Sequence, residues 1–116
     1  MSSEPSIFSR IVAREIPADI VFESDTLIAF SDIAPKAPVH ILVVPKTEEY
    51  ANVTELAAGD PALLAEIVTT AQSIASEHSD GDYRLIFNTG ENAGQTVFHV
   101  HAHVLSGSLT EESVGF

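Results

Sequence analysis

The sequence predicts one α+β domain. Three observations lead there: short apolar runs of strand character bounded by turn residues, one long amphipathic helix between them, and a strictly alternating stretch, His99-Val100-His101-Ala102-His103-Val104-Leu105. In an extended chain, positions i, i+2 and i+4 share a face, so His99, His101 and His103 line one side while Val100, Ala102 and Val104 point to the other. Successive same-face positions lie about 6.6 Å apart at the usual strand rise, too far for direct ring-to-ring hydrogen bonds but suited to surrounding one ligand group such as a phosphate. Three of the five histidines fall within these five residues, which a merely solvated strand face does not explain.

A chain of 116 residues can bury a real but modest core in a single domain, expected over residues 1–105 with a polar, acidic tail over 106–116. The absence of cysteine removes disulfides, thiolate metal sites and a Cys nucleophile together. With 17 acidic residues against five Lys plus Arg, the net charge of −12 repels a nucleic-acid backbone, so no nucleic-acid partner is expected. No apolar run approaches the roughly 20 residues of a membrane span. Met1 to Arg10 also lacks the basic start and apolar core of a signal peptide, so the expectation is a cytoplasmic protein without a membrane partner.

In chain order, Ile7, Phe8, Ile11 and Val12 recur at helical spacing behind a Ser6 cap, predicting one or two turns that end before Ile16-Pro17. Ile20 to Glu23 and Leu27 to Ser31 form a hairpin around Ser24-Asp25-Thr26. Asp32 to Pro38 carries two prolines and is an irregular extended loop. His40-Ile41-Leu42-Val43-Val44 is a continuous apolar run stopped by Pro45, the pattern of a central strand covered on both faces. Thr54-Glu55-Leu56 hints at a helix start, and Asp60-Pro61 caps the long helix, about Ala62 to Glu77, whose apolar residues recur every three or four positions. Tyr83 to Asn88 is a further strand, Thr89 to Gln95 a loop with glycines at 90 and 94, and the histidine strand closes the set.

The glycine-bearing loop Thr89 to Thr96 runs directly into the histidine strand, and glycine lets backbone N–H groups approach an anion closely. A phosphate between that loop and the imidazoles has a nucleophile, an acid–base group and a clamp within reach, because histidine can play each part. Two other site readings fit the residues: a His-x-His metal hydrolase completed by His40, which lacks a carboxylate nearby in sequence, and a nucleotide-binding module without turnover.

The stretch His99 to Leu105 matches the His-φ-His-φ-His-φ-φ signature (φ apolar) of the histidine triad (HIT) superfamily, and the chain resembles its Hint branch from about residue 6 to 105. Further matching segments are Ser6 to Ala18, Ala29 to Ile33, Ala37 to Lys46 and Gly94 to Phe98. The resemblance implies a HIT-like fold: a mostly antiparallel sheet of about five strands, one long helix and a short N-terminal helix, dimerising into a continuous larger sheet. It also implies a cofactor-free hydrolase of purine nucleoside 5′-phosphoramidates such as AMP-lysine or aminoacyl-adenylates, with a purine nucleotide as ligand. His101 would be the nucleophile, His99 would orient its neighbours, His103 would bind phosphate oxygen and His40 would support the triad by hydrogen bonding. Asp32 would hold the ribose hydroxyls or act as a plain turn-former; Asn88, Gly94, Gln95 and Thr96 would form the phosphate-side loop. Ile7, Phe8, Ile16 and Phe30 would line the base pocket or simply pack in the core. A dinucleoside polyphosphate hydrolase or a nucleotidyltransferase on the same fold is the nearest alternative.

Two features depart from that branch. Many bacterial relatives carry a Cys-x-x-Cys pair that helps to bind structural zinc where this chain has Ser6 and Ser9, so no metal is expected here. The chain also ends Glu111-Glu112-Ser113-Val114-Gly115-Phe116 in place of a Trp-Pro-Pro-Gly-like segment, which leaves leaving-group preference open.

Overall fold

The computed structural model describes residues 5–112. Five strands, β1 (Ile20–Glu23), β2 (Leu27–Ser31), β3 (Val39–Pro45), β4 (Arg84–Ile86) and β5 (Ala102–Ser106), form one sheet in the order β1-β2-β3-β5-β4. Every adjacent pair is antiparallel. The helices are α1 (Ile7–Val12), α2 (Val53–Gly59) and α3 (Pro61–His78). None of the helices among the described residues is long and apolar enough to cross a membrane.

β3 is central because both of its faces are apolar. Ile41 and Val43 enter a core with Leu63, Ile67, Ala71 and Ile74 of α3, whereas Leu42 and Val44 pack with Phe8 and Ile11 of α1. The sheet is thus covered by α2 and α3 on one side and by the short α1 on the other. Asp60 caps α3 by accepting the Leu63 N–H, and Pro61 follows at the first helical position, where its missing N–H costs nothing. Ser6 caps α1 in the same way, accepting the Ser9 N–H.

Four expected boundaries move. His99 and His101 precede β5, which begins only at Ala102, because their segment is held by side chains and by the Tyr50 carbonyl, which accepts the Val100 N–H at 3.0 Å, and not by a ladder. The face alternation survives all the same, since Val100, Ala102 and Val104 are buried in the α3-side core. The strand expected over Tyr83 to Asn88 is only Arg84–Ile86, whose last pair, Ile86 with His103, lies one residue from the start of β5. β3 ends at Pro45 as expected, but Pro45 is its last residue, opposite Leu27 at the end of the ladder, and not the first beyond it. The tail expected over 106–116 lies within the described residues only to 112, and Ser106 belongs to β5, donating its hydroxyl to the Asp82 carbonyl at 2.7 Å, while the Thr110 carbonyl accepts from Arg84.

Candidate active site

The register of β3 against β5 pairs Leu42 with His103 and His40 with Leu105, which puts His40 and His103 on the same face of the sheet, the one that α1 covers. They are diagonal neighbours across the ladder, within reach for side chains as long as imidazole. His40 Nε2 and His103 Nδ1 lie 3.0 Å apart, and the His101 and His103 ring centres 5.1 Å apart. Phe8 of α1 packs edge-on against both His101 and His99, at 4.8 and 5.9 Å between ring centres. The four histidines therefore form one continuous patch.

Hydrogen bonds decide which nitrogen of each neutral ring carries the proton. His101 Nδ1 lies 2.9 Å from the His99 carbonyl, which can only accept, so the proton is on Nδ1 and the lone pair on Nε2. His101 Nε2 accepts no hydrogen bond among the described residues. The Lys36 N–H donates to His40 Nδ1 at 3.0 Å, so His40 is protonated on Nε2 and donates to His103 Nδ1. The His103 proton is then on Nε2, the nitrogen turned away from His40. His99 donates from Nε2 to the Pro45 carbonyl at 2.7 Å and receives the Ser6 hydroxyl on Nδ1 at 2.6 Å.

All four rings favour the neutral form, as this arrangement requires. Burial is the largest cause and holds His40, His99 and His101 below the ordinary imidazole range; the Asp32 carboxylate opposes it weakly at His40 and His101. His103 is pushed down to about 4, by burial first and then by His101 and His40.

Asp32 lies beside this chain of rings, its Oδ2 3.5 Å from His40 Nε2 and its Oδ1 accepting the Ala34 N–H of a local turn. The carboxylate missing from the triad's sequence neighbourhood is thus supplied from the end of β2. It opens onto a shallow hollow of about 310 Å³ lined by Ser31, Pro35, Pro38 and His40 among others. Asp32, His40 and His103 bring potential metal ligands within 4.8 Å of one another. They do not fit a metal as they stand, because a ligating His40 Nε2 must give up its proton to Nδ1, which already faces the Lys36 N–H donor. Ser6 and Ser9 likewise offer hydroxyls and not thiolates.

The remaining expected site residues divide. Gly90 and Gly94 take φ of +90° and +94°, backbone that only glycine adopts without strain, and between them a single 3₁₀ turn carries the loop past the site. Thr96 is exposed and Asn88 half-buried. The buried Gln95 side chain donates to the Ala51 and Val97 carbonyls and accepts the Gly90 N–H, so its amide braces the loop. Phe8 and Phe30 are buried core residues, with Ile16 packed against their cluster, whereas Ile7 is 46% exposed and outside it. Sequence reasoning missed Lys36, Pro45, Glu48 and Tyr50, three of which act here through backbone groups that no residue type announces.

The family model described as scavenger mRNA decapping enzyme C-term binding matches residues 5–115. A HIT-like protein of Synechococcus elongatus is 50% identical over 107 residues, covering 90% of this chain and 92% of that one. The purine nucleoside phosphoramidase of Escherichia coli K12 is 42% identical over 107 residues, covering 90% and 89%. Among solved structures, a HIT family hydrolase from Clostridium thermocellum superposes with a TM-score of 0.84 at 42% identity, covering 91% of this chain and 93% of its own. One from Legionella pneumophila gives 0.87 at 38%, covering 96% and 100%.

Proposed function

The chain belongs to the histidine triad family, and from that premise we propose that it hydrolyses purine nucleoside 5′-phosphoramidates through a nucleotidyl-histidine intermediate on His101. The observation that carries the reading is the His101 Nδ1–H bond to the His99 carbonyl, which puts the proton on Nδ1 and leaves Nε2 with a neutral lone pair. The lone pair attacks the α-phosphorus, the P–N bond breaks, and the amine leaves protonated by solvent. The imidazolium so formed keeps its Nδ1–H on the His99 carbonyl, which stabilises the developing positive charge. His103, protonated on Nε2, supplies a donor to a non-bridging phosphate oxygen, and Asp32 supplies an acceptor for ribose hydroxyls. Water then displaces His101 from phosphorus and releases the nucleoside monophosphate, so one hard displacement becomes two easier ones. The 42% identity to a purine nucleoside phosphoramidase supports this substrate class.

Turnover of a fluorogenic adenosine phosphoramidate, followed by acid-free quenching and intact-mass measurement, tests it. The expected result is turnover with a fraction of the protein heavier by one adenylyl group, mapped to His101 and lost on brief acid treatment. Robust turnover with no adduct, in wild type or in a His103→Ala variant slowed in the second step, would overturn the mechanism; no turnover would overturn the activity.

A homodimer is part of the same proposal. Among the described residues β4 lies at the end of the sheet, with β5 as its strand neighbour, and Val68 on α3 is 42% exposed. Pairing β4 edges and α3 faces about a twofold axis would cover both. Sedimentation should give twice the 12.4 kDa chain mass at micromolar concentration, and a species at the single-chain mass would refute it.

A further inference from the structure

We propose that Ser6 is a positioning residue for the reaction: its hydroxyl donates to Nδ1 of the His99 ring, in the tautomer that the Pro45 carbonyl sets, and so holds the residue whose backbone carbonyl His101 depends on. The inference rests on the hydrolytic reading for its kinetic consequence, but its structural content stands apart from it.

His99 is 1% exposed, so both ring nitrogens must find partners inside the protein. Nε2 faces the Pro45 carbonyl at 2.7 Å and must donate there, leaving Nδ1 as an acceptor. The group that meets Nδ1 is the Ser6 hydroxyl at 2.6 Å, which comes from 93 residues earlier in the chain. The hydroxyl accepts the Ser9 N–H at 3.0 Å and has two acceptors in reach for its proton, Ser9 Oγ at 3.4 Å and His99 Nδ1 at 2.6 Å, of which the shorter contact takes it. The Ser6 backbone N–H donates to Glu48 Oε1 at 3.0 Å, tying the same residue to the loop after β3. Ser6 thus joins α1, the loop after β3 and the approach to β5 in one place, and all three reach the nucleophile: α1 through the Phe8 ring on His101, the other two through His99, whose carbonyl accepts the His101 Nδ1–H. If His99 became doubly protonated, Nδ1–H would point at the Ser6 hydroxyl, which would have to turn round and accept on its second lone pair, so the donor that now holds the ring would be lost. Glu48 and His101 are the titratable groups that bear on His99. Glu48 is held ionised chiefly by the Ser6 N–H, with the Ser9 hydroxyl and His99 adding to it.

Ser6 is also the α1 cap, and the two roles can be separated. Ser6→Asp keeps a good capping acceptor but replaces the donor to Nδ1 by a carboxylate, whereas Ser6→Thr keeps both functions and Ser6→Ala removes both. The expected result for Ser6→Asp is a melting temperature near wild type, kcat lower by about tenfold or more with KM within about twofold, and an acid limb of the rate–pH profile moved to higher pH. Ser6→Thr should restore most of kcat. Nitrogen NMR of the imidazoles should show His99 protonated only on Nε2 in the wild type at neutral pH, and on both nitrogens in Ser6→Asp. A wild-type His99 protonated on Nδ1 overturns the proposal, and so does Ser6→Asp with wild-type kcat, profile and tautomer. Should Ser6→Asp not fold, Ser6→Gly takes its place, since it removes the donor to Nδ1 at little cost to the cap, and a wild-type kcat in that variant would overturn the proposal. Absence of phosphoramidate turnover by the wild type would remove the hydrolytic reading and leave the tautomer measurement standing.

Discussion

Replacing His101 by Ala is expected to lower phosphoramidate turnover by about three to six orders of magnitude, the range typical of losing a covalent nucleophile, while the protein still folds and binds AMP. Folding should survive because the ring is half-buried at the edge of the α1-side cluster, with one hydrogen bond, to the His99 carbonyl, and ring contacts to Phe8 and His103. Losing that bond costs about 1 kcal/mol, since water can reach the carbonyl in its place. Steady-state kinetics beside a calorimetric AMP titration would check both halves. Activity within about tenfold of wild type would remove His101 from the nucleophile's role, and unchanged activity in the His103 variant would by contrast concern only phosphate binding.

The largest expected loss of stability comes from Ile67→Ala. Ile67 is fully buried in the core shared by α3, β3 and β5, so truncation removes apolar contacts and leaves a cavity that neighbouring helix and strands are too rigid to close. The cost should be about 2–5 kcal/mol, a large fraction of the roughly 5–15 kcal/mol that holds a domain of this size together. Denaturant unfolding at one fixed protein concentration should show a lower midpoint with the slope unchanged. A loss under about 1 kcal/mol would mean that α3 does not seat against the sheet where the structure puts it. The functional consequence is indirect: β3 and β5, which carry His40 and His103, keep their register only while their far face stays packed.

Most of the scaffold was legible because it follows from local chemistry. The Ser6 and Asp60-Pro61 caps, the apolar period of α3, the hairpin at Ser24-Asp25-Thr26 and the double-sided apolar run of β3 each need only neighbours in sequence, and each appears where expected. The histidine alternation also placed three rings opposite three core residues, since face alternation survives even where the ladder does not. What the sequence left undecided is everything that depends on two distant segments meeting. The pairing of His40 with His103 follows from the β3–β5 register, and the arrival of Asp32 beside them follows from the turn at the end of β2. That Gln95 braces the loop could not be known, because its partners at Ala51 and Gly90 are backbone groups. Phe8 and Phe30 could not be told from pocket residues, since an apolar side chain looks the same in either setting. Most of all, a histidine's chemistry depends on which nitrogen holds the proton, and that is set by the carbonyls of His99 and Pro45, the Lys36 N–H and the Ser6 hydroxyl. The sequence by itself determined that three histidines would share one face of an extended segment; only the tertiary structure, by bringing donors and acceptors to fixed places around buried rings, decided which nitrogen of each holds the proton.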